Sequence, residues 1–441
     1  MSRRPSVLGL IAVGAVTVAV VATSSGIAGL VPGSEPETAA AGRGPAGADG
    51  RWVTSWTSMP QLTEPHNMPP APFTQENLVL ADSTLRQTVR VSVGGQHMRI
   101  RLSNAFGGAP LPITSASVAL PAGGQAGVSE IEPGTSRPVT FSGRSSVVIP
   151  VGAQMVSDPI SFSLAARSNL TVTLYLAEGQ ASNNVTSHPG SRTTSHLLAG
   201  NHVADATLPG ATPTDHWYFL SGLEVPARTG ATAVMLGDSL TDGRGSTTNG
   251  NDRWPDQLLG RLHASRVTAN VAVVNQAAGG NRVLNDGLGP NALARLDRDV
   301  LAQSGARWLI VFEGVNDIGT AEATEAAQKA VAEDLITAYD QIVTRAHAQG
   351  ITVYGATLTP FGGNTGYDDA AGTREGARQT VNHWIRTSGR FDAVLDFDRA
   401  ARDPANPRQL LPAFDTGDHL HLNPTGYRAL ANAVPGWLFR H

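Results

Sequence analysis

Cysteine is absent from the 441 residues, and lysine occurs once, at Lys329. The first absence excludes a thiol nucleophile, a thiolate metal site and any disulfide framework. The second argues against a Schiff-base site, a Ser-Lys dyad or a Walker-type lysine, because each needs an amine at a defined place. Charge is sparse as well. Charged residues make up 15% of the chain and the net charge is −4, so no basic face for a nucleic-acid partner is available. The hydrophobic share of 41% with dispersed charge points to a folded chain rather than a disordered one, and the length suggests two or three domains at roughly 150 residues each.

The first fifty residues read as targeting rather than fold. Arg3 and Arg4 precede an apolar run from Val7 to Ala22, and small residues follow through Ala28 and Ala39, Ala40 and Ala41, the layout of a secretory signal. Export to the extracellular space is the expected fate, with 1–41 as the signal. The stretch between Arg4 and Glu35 carries no charge and is long enough to span a bilayer, so a membrane association follows only if this segment is retained. Residues 42–50 read as a linker within a Pro-, Gly- and Ala-rich tether.

From residue 51 to about 230 the apolar period is two. Val89, Val91 and Val93 alternate with Arg90 and Ser92, and Met98, Ile100 and Leu102 alternate with Arg99 and Arg101. With Gly94-Gly95 between them, these runs predict a hairpin with a tight turn. Ile160, Phe162 and Leu164, then Leu170, Val172, Leu174 and Leu176, repeat the alternation. Short strands at this spacing indicate an all-β sandwich or jelly-roll domain. It shows no catalytic motif, and Arg90, Arg99 and Arg101 are expected on a solvated outer face, as antiparallel sheets commonly present one.

Residues 231–441 change to continuous apolar strands alternating with helices. Ala231–Leu236, Val271–Val274, Trp308–Phe312, Ile351–Ala356 and Ala393–Leu395 are of strand length. Ala321 to Gln349 is amphipathic at helical spacing through Val331, Leu335, Ile336, Tyr339, Ile342 and Val343. This alternation predicts an α/β domain with a mostly parallel, doubly wound sheet whose site forms at the carboxyl ends of the strands.

The polar motifs fall at those ends. The first strand runs into Gly237-Asp238-Ser239-Leu240-Thr241-Asp242-Gly243, which exposes a serine on a turn. Thr241 stands where a Gly-x-Ser-x-Gly elbow needs its last glycine, so that signature is missing. The second leads to Asn275-Gln276-Ala277-Ala278-Gly279-Gly280-Asn281-Arg282, the third to Glu313-Gly314-Val315-Asn316-Asp317, and the last loop holds Asp418-His419-Leu420-His421 before Asn423-Pro424. Each alone is an ordinary loop or cap. Together they provide a serine nucleophile, a base, a carboxylate to orient the base, and donors for an oxyanion.

The four blocks, in this order and spacing, resemble the SGNH hydrolases, the GDSL-type esterase/lipase family. The stretches Asp242 to Thr247, Arg253-Trp254-Pro255-Asp256 and Glu313 to Ile318 look like the subgroup linked to carbohydrate acetyl esters, including xylan, and the β-domain looks like one that accompanies it. The resemblance implies a three-layer flavodoxin-like sandwich. It implies Ser239 as nucleophile, His421 as general base and then acid, and Asp418 as the carboxylate on His421 Nδ1. Ser239 N–H, Gly280 N–H and the Asn316 side chain form the oxyanion hole in this reading. His419 is the rival base. Asp238, Asp242 and Asp317 are expected to hold turns, and Arg253 and Arg282 to form structural pairs or meet substrate. The implied activity is carboxylic ester hydrolysis through an acyl-enzyme, with no metal or cofactor, on a small-molecule or polysaccharide ester. A short acyl group on carbohydrate is the first expectation. Longer lipid esters, acyl transfer between sugars, and a glycan-binding module with a vestigial site are the alternatives. Nothing in the sequence speaks to oligomeric state.

Overall fold

The computed structural model describes residues 51–227 and 229–440; the segments read as signal and linker lie outside the described residues. The N-terminal part is built from antiparallel strands. One sheet orders strands Trp52–Thr57, Leu220–Pro226, Gly95–Ser103 and Gln154–Val156, with Ile160–Leu164 also pairing to Gly95–Ser103. The other runs Thr212–Thr214, Ser195–Ala199, Ser83–Arg90, Asn169–Leu176, Ser115–Ala119, Arg137–Pro138. Leu85, Val89, Val172 and Leu174 from the second sheet and Ile100, Leu102 and Leu223 from the first join one hydrophobic core.

Two sequence expectations fail here. Ser83–Arg90 and Gly95–Ser103 do not form a hairpin, because they belong to different sheets. The intervening residues cross between layers: Val91 N–H bonds Ser168 C=O, Ser92 N–H bonds Ser55 C=O, and Gly94 packs so tightly that a Cβ would stand 2.0 Å from Leu164 O. Period-two alternation reports which face is buried and not which strand is the partner. Arg90, Arg99 and Arg101 are half-buried rather than solvated. Arg99 and Arg101 both pair with Glu224 on the neighbouring strand, where Glu224 stands directly across from Arg99, and Arg99 also covers the Trp52 ring. Opposite charges across a strand pair stabilise the sheet.

The second part is a parallel five-stranded sheet. Its strands are β1 (Ala231–Gly237), β2 (Val271–Ala277), β3 (Ala306–Phe312), β4 (Thr352–Ala356) and β5 (Ala393–Leu395), in the spatial order β2-β1-β3-β4-β5. β1 is buried along its whole length, as a central parallel strand covered on both faces must be. Helices flank it: α1 (Ser239–Asp242), α2 (Trp254–His263), α3 (Ala292–Leu296), α4 (Val315–Thr320), α5 (Glu325–Ala348), α6 (Thr373–Thr387), α7 (Phe397–Ala401) and α8 (Pro424–Ala433). α2, α7 and α8 pack together in one layer, α4, α5 and α6 in the other. α5 buries Leu335, Ala338, Tyr339, Ile342, Val343 and Ala346, one stripe at helical spacing. The result is a three-layer α/β/α sandwich around a parallel sheet.

β2 is an edge strand, and the β-domain covers it. Strand Trp52–Thr57 runs alongside, Thr57 Oγ1 donates to Asn275 O at 3.0 Å, and Ser92 Oγ exchanges bonds with Val273 O and N at 2.5 and 3.2 Å. Side-chain hydroxyls thereby satisfy backbone groups that an open edge would leave for another chain.

Candidate active site

β1 delivers its last residue, Gly237, to a turn with no room for a side chain. A Cβ there would lie 2.5 Å from Thr241 Oγ1 and 2.7 Å from Phe312 O. Asp238 caps α1 by accepting Leu240 N–H at 3.0 Å, and Ser239 is the helix's first residue. Thr241, the departure from the elbow motif, accepts Trp254 Nε1–H at 3.2 Å and so pins α1 to α2.

The last loop brings its histidine to this serine. Thr416 N–H bonds His421 O at 3.1 Å, and Asp418 Oδ1 accepts the N–H groups of Leu420 and His421 at 3.1 and 2.8 Å. Asn423 then caps α8, with Pro424 in its first turn. The result is a line of three groups from sequence-distant segments. Ser239 Oγ stands 2.8 Å from His421 Nε2, and His421 Nδ1 stands 2.6 Å from Asp418 Oδ2. His419 turns the other way, exposed, with its Nδ1 2.7 Å from Asp415.

The loops after β2 and β3 supply donors beside Ser239. Gly280 has φ +72, a left-handed conformation that glycine adopts without strain, and its N–H meets no partner among the described residues. The Ser239 N–H heads the first turn of α1, where no intrahelical acceptor exists. Asn316, in α4, spends one Nδ2 hydrogen on Asn281 O at 2.8 Å, which leaves its second. Tyr367 fixes that amide by donating its hydroxyl to Asn316 Oδ1 at 2.6 Å. Burial pushes the Tyr367 hydroxyl up to about 12, so it stays protonated as a donor. Asp317 holds the β2 loop by accepting Val283 and Leu284 N–H, both at 2.9 Å.

Several contributors carry no motif. Arg295 is fully buried beneath the three strand ends, where it donates to Gly237 O, Gln276 O, Asn281 Oδ1 and Glu313. An arginine on the inner side of a short apolar helix, Ala292-Leu293-Ala294-Arg295-Leu296, was the available signal. Burial pushes the Glu313 carboxyl up to about 7 despite this partner. Arg253 and Arg282 serve structure: Arg253 donates to Ser191 O, and Arg282 to Asp286 O. Lys329 is exposed on α5 near Glu333.

The β-domain, which lacks motifs, nonetheless forms one wall. A cavity of about 500 Å³ is lined by Gln61, Glu64, Asn67 and Arg192 from that side and by Ser239, Gly280, Asn316 and Tyr367 from the other. His188 crosses between them: its Nε2 lies 2.9 Å from Asp242 Oδ1, while Asp242 Oδ2 accepts Gly279 N–H at 3.1 Å. A residue of the β-domain thus steadies the loop that carries Gly280. No sequence signal marks it, because the two contacting residues are 54 positions apart.

Burial opposes charge on both Asp418 and His421 but with different outcomes. It acts to raise the Asp418 carboxyl, yet the hydrogen bonds from the His421 N–H and ring outweigh it and hold the group at about 2. For His421, burial lowers the imidazole below 6.5 and outweighs Asp418, with Arg244 and Arg192 lowering it further. At neutral pH the carboxylate is ionised and the imidazole free to accept a proton. Among the described residues, no group of three or more His, Asp or Glu is arranged to hold a metal ion.

Residues 235–429 match the model of the GDSL-like Lipase/Acylhydrolase family. Among solved structures, the chain is similar to an acetylxylan esterase from Geobacillus stearothermophilus, at 20% identity over 47% of this chain and 94% of that one, with a TM-score of 0.35. It is also similar to a GDSL-like lipase from Bacteroides thetaiotaomicron VPI-5482, at 16% identity over 47% and 87% of the two chains, with a TM-score of 0.33. No curated protein matches.

Proposed function

We propose that the chain is a serine carboxylic ester hydrolase that uses Ser239, His421 and Asp418 through an acyl-enzyme, a reading that the match of residues 235–429 to the GDSL-like Lipase/Acylhydrolase family supports. The observation that carries this is the unbroken line Ser239 Oγ, His421 Nε2, His421 Nδ1, Asp418 Oδ2 at 2.8 and 2.6 Å, ending in a cavity with unused N–H donors. Ser239 Oγ attacks the ester carbonyl while His421 takes its proton. The tetrahedral oxyanion rests on the Ser239 and Gly280 N–H groups and the Asn316 amide. His421 then protonates the leaving alcohol, and water activated by the same ring releases the acid. Each hydrogen-bond donor is placed by a separate strand end, so little reorganisation accompanies charge development.

The acyl group is short and the alcohol a carbohydrate. Besides the sequence resemblance, what supports this is the polar character of one cavity wall, where Gln61, Glu64, His66, Asn67, Arg192 and Arg244 stand. Export follows from the Arg3-Arg4 and Val7–Ala22 pattern. Acetate release from acetylated xylan, with kcat/KM for 4-nitrophenyl esters falling steeply beyond short acyl chains, is the expected result. A preference for long chains would assign the protein to lipid esters instead.

Two further outcomes belong to this mechanism. Asn316→Ala should lower kcat by about 10² to 10³, the usual cost of one oxyanion donor, with the fold intact by thermal melting. The acid limb of kcat/KM should report His421. Because the reaction needs the neutral imidazole and its protonation is disfavoured, activity should persist below pH 6.5 and fall only as pH drops further. An acid limb centred at about 7 or above would contradict the assignment of His421 as base.

A further inference from the structure

Two guanidinium groups line the Ser239 cavity and meet no carboxylate among the described residues. Arg192 comes from the β-domain loop between strands Thr186–His188 and Ser195–Ala199, and Arg244 from the turn that follows α1. The Arg192 Nε is buried without a hydrogen-bond acceptor, a state that costs free energy in a finished fold. The carboxylates of the same cavity are already engaged. Glu64 accepts from Gln61 and Asn67 at 2.6 and 2.9 Å, and Asp242 faces His188 and Gly279.

Both arginines are presented by constrained backbone. Arg192 has φ +51, uncommon for a residue with a side chain, and such a conformation persists only where the surroundings over-determine it. Here they do. The Arg192 carbonyl accepts Asn249 N–H at 2.9 Å, Asn249 Oδ1 accepts Thr194 N–H at 2.8 Å, and Arg253 donates to Ser191 O. On the other flank, Gly190 sits so close to Asp242 that a Cβ would stand 1.8 Å from its Oδ2. Groups of the hydrolase domain therefore clamp the loop on each side of Arg192. Arg244 lies between Gly243 at φ +99 and Gly245 at φ +92, and its carbonyl accepts the Tyr427 hydroxyl at 2.6 Å. Both arginines line the same cavity as Ser239, which puts them beside the reacting hydroxyl.

We propose that Arg192 and Arg244 form a carboxylate-binding subsite beside Ser239, so that the preferred substrates are esters carrying a carboxylate close to the scissile bond. Guanidinium groups match carboxylates through paired, charge-assisted hydrogen bonds. Two guanidinium groups without a carboxylate contact in one cavity exceed what a neutral sugar hydroxyl requires. The carboxylate stands either on the acyl group, as in a dicarboxylic half-ester, or on the alcohol, as in an acylated uronic acid. The inference rests on the esterase reading of Ser239.

The test compares kcat/KM of the full chain within two pairs: 4-nitrophenyl hemisuccinate against 4-nitrophenyl butyrate, and O-acetylated glucuronic acid against O-acetylated glucose. At least one acidic member should be favoured over its neutral counterpart, and the pair that shows it identifies the side bearing the charge. Arg192→Met and Arg244→Met should each lower that acidic-to-neutral ratio about 10- to 100-fold, the range for a hydrogen bond between charged groups. The wild-type ratio should also shrink in about 0.5 M salt, a readout that needs no variant to fold. The absence of any charge preference, or a preference that survives both substitutions, would overturn the subsite while leaving Ser239-dependent hydrolysis of 4-nitrophenyl acetate standing. Hydrolysis that persists in Ser239→Ala, or no hydrolysis by the wild type, would overturn the esterase reading and the subsite with it.

Discussion

Ser239→Ala is expected to lower kcat/KM for 4-nitrophenyl acetate by about 10⁴ to 10⁶ while the melting temperature stays within a few degrees of wild type. The stability side follows from what the hydroxyl does not do. The α1 cap is the Asp238 carboxylate, which accepts Leu240 N–H, so removing the serine Oγ leaves the helix start intact. Its one hydrogen bond is to His421 Nε2, worth about 1 kcal/mol in net stability, and the ring still has Asp418. On the catalytic side nothing replaces the nucleophile. The Ser239 backbone N–H, Gly280 and Asn316 remain, so a residual acceleration of about 10³ to 10⁴ over water is expected from the oxyanion donors and binding alone. Activity within tenfold of wild type would remove Ser239 from the mechanism.

The α/β part was legible because its physics is local. Ala231–Leu236 and Trp308–Phe312 are runs of β-branched or apolar residues, and both are buried central strands, with β1 extending only to Gly237. Parallel strands end at one edge, so the polar residues just past them had to share a site. Ser239, Gly280 and Asn316 follow three such strand ends and line one cavity. What stayed hidden depends on contacts between distant segments. The pairing partners of Ser83–Arg90 are set by packing of two sheets, which alternation does not encode. Arg99 and Arg101 have the alternation of a polar face, but their partner Glu224 lies on a strand distant in sequence. His188 on Asp242, Tyr367 on Asn316 and Arg295 beneath the three loops have no spacing rule at all. Each is a single polar residue whose meaning comes from the surface it is folded against.

Asp418→Asn should lower kcat by about 10⁴ with little change in KM or fold. Asp418 has two separable tasks. Its Oδ1 accepts the Leu420 and His421 N–H groups and the Thr416 hydroxyl, which shapes the loop. Its Oδ2 faces His421 Nδ1 at 2.6 Å, which fixes the proton on that nitrogen and leaves Nε2 bare toward Ser239. Asparagine keeps an oxygen for the first task. For the second it offers an N–H, which favours the tautomer carrying its proton on Nε2, so His421 can no longer accept from Ser239. The imidazolium that forms during attack also loses its counter-charge. Alanine would remove both tasks together and confuse loop stability with catalysis, which makes asparagine the informative change. Ser239, His421 and Asp418 act as one unit, so the double variant Ser239→Ala, Asp418→Asn should be no slower than Ser239→Ala alone. Losses that multiply in the double variant would mean that Asp418 acts on the reaction by a route other than His421.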